Sequence, residues 1–390
     1  MKLLSFETKE NKKIKKQKII IMSILLSIII LIVLLYFFNS FFRNIIDKYV
    51  FRKEVLQNNT VSFEFNPDDN EFTYAYDKYI TVLSKNILKS YTGSGARAFE
   101  SEVQINNPLF NSNGRFLCIA ENNGNTIYLI SGSNIVWHNN VEGEITQINV
   151  NKNGYVSVVV SGTSYKNIVI TFDSTGKELF KTFLSTTIAV DTDISNDNKF
   201  LAIAEVDTSG TLPASYIKII SITKAQNEPV NSITYTYTAP SDVLITDIKY
   251  QDKNKLVCIS NDSIQIIENE SSSELISFSN VDTVAADINL KNTFGYVCLK
   301  SNGLFNSSSE INIQNTNNFS IDTYTVETAF KSLFAKNECI AINLGSEVHF
   351  ISLNGWLIKK YVSSQEINNI LLGDSIAGIV YRDKIEIINL

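Results

Sequence analysis

The chain has 390 residues, 44% hydrophobic and 19% charged, a globular balance that excludes wholesale disorder and a multi-span membrane protein. The formal net charge is −6, but residues 1–18 carry seven lysines against two glutamates. The remainder is therefore distinctly acidic, which excludes a nucleic-acid partner for it, because neutralising phosphate needs a basic surface.

Ile19 to Phe38 is a run of 20 uncharged residues, and at about 1.5 Å per residue a helix of that length covers about 30 Å of hydrocarbon. It predicts a single N-terminal transmembrane helix, closed at its outer end by Tyr36, Phe37 and Phe38 at interface height. A cleaved signal peptide has a shorter apolar region and a small-x-small site, which Asn39-Ser40-Phe41-Phe42-Arg43 does not offer. The lysine cluster outweighs Arg43, Lys48, Arg52 and Lys53 on the other flank. By the positive-inside rule residues 1–18 form a cytoplasmic tail and the C-terminal part lies outside the cell. Membrane lipid is thus the first expected partner. Residues 39–58 mix aromatic, aliphatic and basic residues and form a juxtamembrane stalk, either amphipathic and lying at the outer leaflet or a plain helical linker.

From residue 59 to 390 the pattern becomes short Val/Ile/Thr/Tyr/Phe runs between Asn, Asp, Gly, Ser and Lys clusters, the signature of strands and turns. The predicted class is all-β. A polar turn followed by an apolar strand recurs as FNSNGRFLCIAE, VNKNGYVSVVV, ISNDNKFLAIAE, YQDKNKLVCIS, LKNTFGYVCLK, FAKNECIAINL and LLGDSIAGIVY. The turns centre near Asn113, Asn153, Asp197, Asn254, Asn292, Asn337 and Gly373, at spacings of 40, 44, 57, 38, 45 and 36 residues. That is close to the ~40–50-residue period of a four-stranded propeller blade. With a weaker first unit around Asp77 the pattern predicts a β-propeller of seven to eight blades. The last unit supplies three strands, and Val61 to Phe65 (VSFEF) is a spare alternating strand that would complete it and close the ring. No helix is predicted after the stalk.

Phe172 to Phe180 (FDSTGKELF) and the ISGSNIVW stretch ending at Trp137 resemble the blade ends of quinoprotein-type and WD40-like propellers. The plan of basic N-terminus, one helix and propeller is similar to a family of uncharacterised membrane-anchored propeller proteins of Gram-positive bacteria. The GH…WD pair of a strict WD40 blade is missing from every unit. The resemblance implies a repeat fold used for protein binding and carries over no quinone site.

Aligning the units exposes a polar column just before an apolar residue of each first strand: Gln147, Asp193, Asp247, Asp287, Ser332 and Asn369. First strands line a propeller's channel. The column reads either as an acidic mouth that binds a cation or basic group, or as side chains hydrogen-bonded to a neighbouring blade's backbone. Cys118, Cys258, Cys298 and Cys339 form no CxxC or zinc-like pair. The first three occupy similar places on second strands of different blades and read as small buried hydrophobes. Trp137 and Trp356 read as blade-docking residues, and His138 and His349 as separate strand residues.

Catalytic signatures are missing: no P-loop, HExxH, GxSxG elbow, DxDxDG calcium loop or Ser-x-Asp-x-Gly-x-x-Trp box occurs. No cofactor or metal is expected. The reading is a non-catalytic, membrane-tethered propeller that presents a protein- or ligand-binding surface to an envelope partner. The alternatives are an extracellular, carboxylate-dependent enzyme acting on cell-wall or other glycans and a channel-ligand sensor.

Overall fold

The computed structural model describes residues 9–38, 42, 46, 50, 60–64, 71–162, 164–251, 254–278, 283–301 and 307–390. The start of the tail, residues 1–8, and the expected stalk apart from Phe42, Ile46 and Val50 lie outside them. The N-terminal helix spans Lys9–Phe38, so it begins within the lysine cluster, whose residues are good helix formers, and not at Ile19. Within it Lys18–Phe38 has a mean hydropathy of 3.2 and buries nothing against protein; it is long and apolar enough to cross a membrane.

Residues 61–390 form eight antiparallel four-stranded sheets. In chain order the first strands of blades 1 to 8 are Phe72–Tyr76, Pro108–Asn113, Glu144–Val150, Thr187–Ile194, Ile245–Tyr250, Thr283–Leu290, Ser332–Lys336 and Asn369–Leu372. Each touches the first strand of the next blade, and that of blade 8 touches that of blade 1, so the ring closes. Eight apolar clusters fill the eight junctions between blades. A second strand is therefore sandwiched between neighbours on both faces. In Val156–Ser161, for example, Val156, Val158 and Val160 pack toward blade 2 while Val159 packs toward blade 4. This is the physical reason the second strands read as unbroken apolar runs.

The spare strand does complete the last blade. Val61–Glu64 pairs antiparallel with Lys384–Asn389, in the register Val61 to Ile387 and Phe63 to Ile385. Phe63 then packs on Tyr91 of blade 1, with ring centroids 4.3 Å apart. The first unit is a true blade, which fixes the count at eight.

The long fourth unit contains a feature the periodicity did not show. A six-residue helix, Ile222–Asn227, lies between its third and fourth strands, capped by Ser221 and burying Ile222 and Ala225. At under two turns it is too short to leave a helical period in the sequence.

All four cysteines are buried, reduced thiols on second strands. Burial raises the thiol pKa of Cys118 and of Cys258, which suppresses the reactive thiolate. The native full chain is expected to resist a thiol reagent such as Ellman's, with four thiols titrating on unfolding. Rapid native labelling, or fewer than four thiols after unfolding without reductant, contradicts the buried, reduced assignment.

Candidate functional site

The channel is built from first strands, four of which, those of blades 3 to 6, share an irregularity. Bulges interrupt the pairing between Ile145 and Gln147, Ala189 and Asp191, Ile245 and Asp247, and Thr283 and Ala285. Thr146 and Thr246, at the bulge of blades 3 and 5, each donate a hydroxyl to a second-strand carbonyl, Val159 at 3.2 Å and Ile259 at 3.4 Å. The residues just past the bulge, Gln147, Asp191, Asp247 and Ala285, form one layer. Two positions on, Asn149, Asp193, Lys249 and Asp287 form the next. The predicted column thus divides: Gln147 and Asp247 belong to the first layer, Asp193 and Asp287 to the second. Ile148 and Ile194, which anchored the alignment, sit two residues apart in this frame.

Several of these side chains tie one blade to the next. Asp193 is buried; it accepts from the Tyr250 amide at 2.6 Å and faces Lys249 Nζ at 3.4 Å. Asp287 accepts from the Ala335 amide of blade 7 at 3.1 Å and from the Asn289 amide at 2.8 Å. Asn111 of blade 2 likewise accepts from the Val150 amide at 3.1 Å. Gln147 donates at 2.8 Å to Asp191, a residue outside the predicted column, which also accepts from the Ile248 amide at 2.9 Å. Among the described residues Asn369 accepts only from its neighbour, the Ile370 amide, at 2.8 Å. Asp247 is exposed and Ser332 half-buried, and neither side chain has a hydrogen bond among the described residues.

Burial sets the electrostatics here. It pushes Asp191 up to about 7, with the Asp193 charge adding to it against the amide hydrogen bonds. Burial also pushes Asp287 up to about 6 and raises Asp193, although Lys249 opposes the latter. Among the described residues no three or more His, Cys, Asp or Glu side chains converge on a metal-sized site.

At the end of the channel where first strands turn into second strands lies a cavity of about 230 Å³. Lys336 of blade 7 reaches across it, donating to the Ala75 carbonyl of blade 1 at 3.0 Å and to Ser112 Oγ of blade 2 at 2.7 Å. Its ammonium also sits 5.3 Å from the Tyr74 ring centroid. Burial lowers Lys336 to about 8.

The opposite face, where second strands turn into third strands, carries a shallow groove of about 550 Å³ on blade 3, lined by Glu142, Glu144, Ser161, Ser164, Tyr165 and Ile168. Tyr165 packs on Phe183 with centroids 4.8 Å apart, and Phe183 is 51% exposed. Glu142 and Glu144 are exposed and have no ion pair among the described residues.

Trp137 of blade 2 packs on Phe172 of blade 3, a blade-docking contact. It also covers Gly176, where an added Cβ would lie 2.7 Å from the indole and φ is +84°; only glycine suits that turn. Gly355, next to the half-buried Trp356, is the equivalent in blade 7, lying against the Thr323 backbone of blade 6. His138 stacks on Tyr128. His349 joins Tyr324, at 2.8 Å, to Glu347, which Lys360 also holds at 2.7 Å. This chain was invisible in sequence because Tyr324 and Lys360 come from other strands than Glu347 and His349.

The fold and channel define a closed eight-bladed propeller of the WD40-like kind preceded by an apolar helix. Residues 52–390 match the Family of unknown function (DUF5711), and the chain belongs to that family. No curated protein matches it. Among solved structures it is similar to the C-terminal WD40 domain of Sif2, with a TM-score of 0.56 and 13% identity over 85% of this chain and 98% of that one. It is also similar to Sqt1 from Chaetomium thermophilum, at 0.53 and 10% over 85% and 98%. BamB from Moraxella catarrhalis aligns at 0.49 and 10% over 87% and 99%. At these identities the likeness is one of fold.

Proposed function

We propose that the protein is a non-catalytic, single-pass membrane-tethered propeller that presents a protein-binding surface at the cell envelope. Residues 19–38 lie in lipid, residues 1–18 face the cytoplasm and residues 59–390 lie outside. The lysine asymmetry supports this orientation, and the apolar, unburied Lys18–Phe38 segment supports the tether. In this reading Asp193 and Asp287 of the channel column serve as blade-to-blade ties.

The observation that carries the binding surface is the blade 3 groove. An exposed, tilted aromatic pair beside two carboxylates that make no ion pair among the described residues is a poor surface to leave in water. Its complement is an extended protein segment with an apolar side chain for the Tyr165–Phe183 pair and basic residues for Glu142 and Glu144.

The test places a photo-crosslinking residue at position 165 of the full chain in intact cells, with Asn318, in an exposed turn of blade 6, as the control position. Crosslinks to a discrete membrane-fraction protein are expected from position 165 and not from 318. Glu142→Lys with Glu144→Lys should reduce them roughly tenfold. Equal yield from both positions, or indifference to charge reversal, would refute the groove as the docking surface. Release of the full chain from membranes by alkaline carbonate would refute the tether.

A further inference from the structure

The channel cavity has chemistry of its own, beyond the docking reading. Lys336 is a half-buried lysine whose ammonium contacts are neutral: a carbonyl, a hydroxyl and an aromatic face. It makes no ion pair among the described residues. A buried charge is ordinarily paired, because desolvation without a counter-charge is expensive. The charged groups that face it are Lys249 of blade 5, which adds repulsion, and Asp77 and Asp374, which attract it without touching it. Lys249 is already engaged by Asp193, and Asp374 takes a hydrogen bond from Asn337.

The wall has amide donors to spare beside the two ammonium groups, although Asn289 and Asn337 spend their amide nitrogens on Asp287 and Asp374. Asn111 spends its carbonyl oxygen on the Val150 amide, and its amide nitrogen has no partner among the described residues. The Asn113 side chain also lacks one there, and both residues line the cavity with Lys249 and Lys336. Two ammonium groups and two unspent amides around about 230 Å³ make a poor cation site and a good anion site.

We infer that this channel cavity binds a small oxyanion, a carboxylate or a tetrahedral sulfate or phosphate group, with Lys336 as its principal counter-charge and Asn111 and Asn113 as further donors. Oxyanions suit the wall because their separate oxygens can reach donors spread around the cavity, whereas a monatomic halide offers a single acceptor centre.

The test uses the full chain in neutral detergent and radiolabelled sulfate in equilibrium dialysis, a probe whose own charge does not change across the pH range. One saturable site is expected. Affinity should fall about tenfold or more in Lys336→Met, and about tenfold from pH 6.5 to pH 9 as Lys336 loses its proton. Should Lys336→Met fail to fold, Asn113→Asp provides an independent arm. It sets a fixed carboxylate on the wall and should also abolish uptake, with a circular-dichroism spectrum like that of wild type. Acetate or phosphate should displace the sulfate, and chloride at the same ionic strength should not. Absence of saturable uptake at up to about 10 mM sulfate, unchanged uptake by a folded Asn113→Asp, a flat pH profile, or displacement by chloride as readily as by acetate each overturns the proposal.

Discussion

Replacing Val61 and Phe63 together by aspartate is expected to lower the stability of the propeller by at least about 4 kcal/mol, because two apolar side chains are lost from a junction and two charges take their place. These two residues face inward, and Ser62 and Glu64 alternate outward. Val61 leaves no room for a Cβ on Gly95 of blade 1, and Phe63 packs on Tyr91. The same pair therefore completes the sheet of blade 8 and seals its junction with blade 1. Thermal unfolding of the full chain in detergent, followed by near-ultraviolet circular dichroism, should show a midpoint many degrees lower and an increased tendency to aggregate. The strand Lys384–Asn389 then becomes an unprotected edge. Exchanging Ser62 and Glu64 for alanine serves as the control and should change stability by less than about 1 kcal/mol. Equal effects of the two double substitutions would contradict closure by this strand.

The second large effect is on the pH dependence of stability. Asp191 holds its proton up to about pH 7 in the fold, whereas an unfolded aspartate loses it near pH 3.9. Between those values the folded chain binds more protons than the unfolded one, so stability falls as pH rises from about 4 to about 7. The loss from this group is on the order of 4 kcal/mol. Asp287, pushed up to about 6, adds in the same direction. Denaturant titrations at pH 5 and pH 7.5 should thus find the protein markedly weaker at the higher pH. Asp191→Asn should remove most of the difference. A wild type of equal stability at both values would show that the channel carboxylates ionise freely.

Lys336 contributes with the opposite sign. Its folded value of about 8 lies below that of an unfolded lysine, so its cost to stability is fully present below pH 8 and relieved above it. The difference between wild type and Lys336→Met isolates this from the buried Cys118 and Cys258 thiols, whose raised values act the other way above about pH 8.5. Bound oxyanion would reduce the Lys336 cost, so the neutral-pH weakness should be smaller in sulfate than in chloride.

The blades were legible in sequence because the architecture buries second strands on both faces, and FLCIA, VSVVV, LAIA and CIAIN can serve little else. The closing strand was legible too, since VSFEF alternates and has no partner within its own unit. The polar column was legible as chemistry but not as geometry. Each first strand alternates apolar residues, so Ile148 and Ile194 look equivalent, and only the bulges reveal that they lie two positions apart. Asp191 was missed for that reason. Lys336 was missed for another: a lysine at the end of a strand beside a polar turn reads as solvated, and only ring closure shows that it reaches across to blades 1 and 2. The helix Ile222–Asn227 was hidden by its brevity.

The pairing of Val61 with Ile387 also bears on the order in which the molecule is made. More than three hundred residues separate the partners, and at roughly 5–20 residues per second of synthesis the early strand waits some tens of seconds for its mate. Throughout that interval the nascent chain carries a short alternating β-segment, with Val61 and Phe63 still unburied, and a growing row of blades with no seal. The final pairing is the most non-local contact in the fold and belongs among its slowest steps. A factor that shelters residues 61–64 during synthesis would govern the yield of finished rings more than their lifetime once closed.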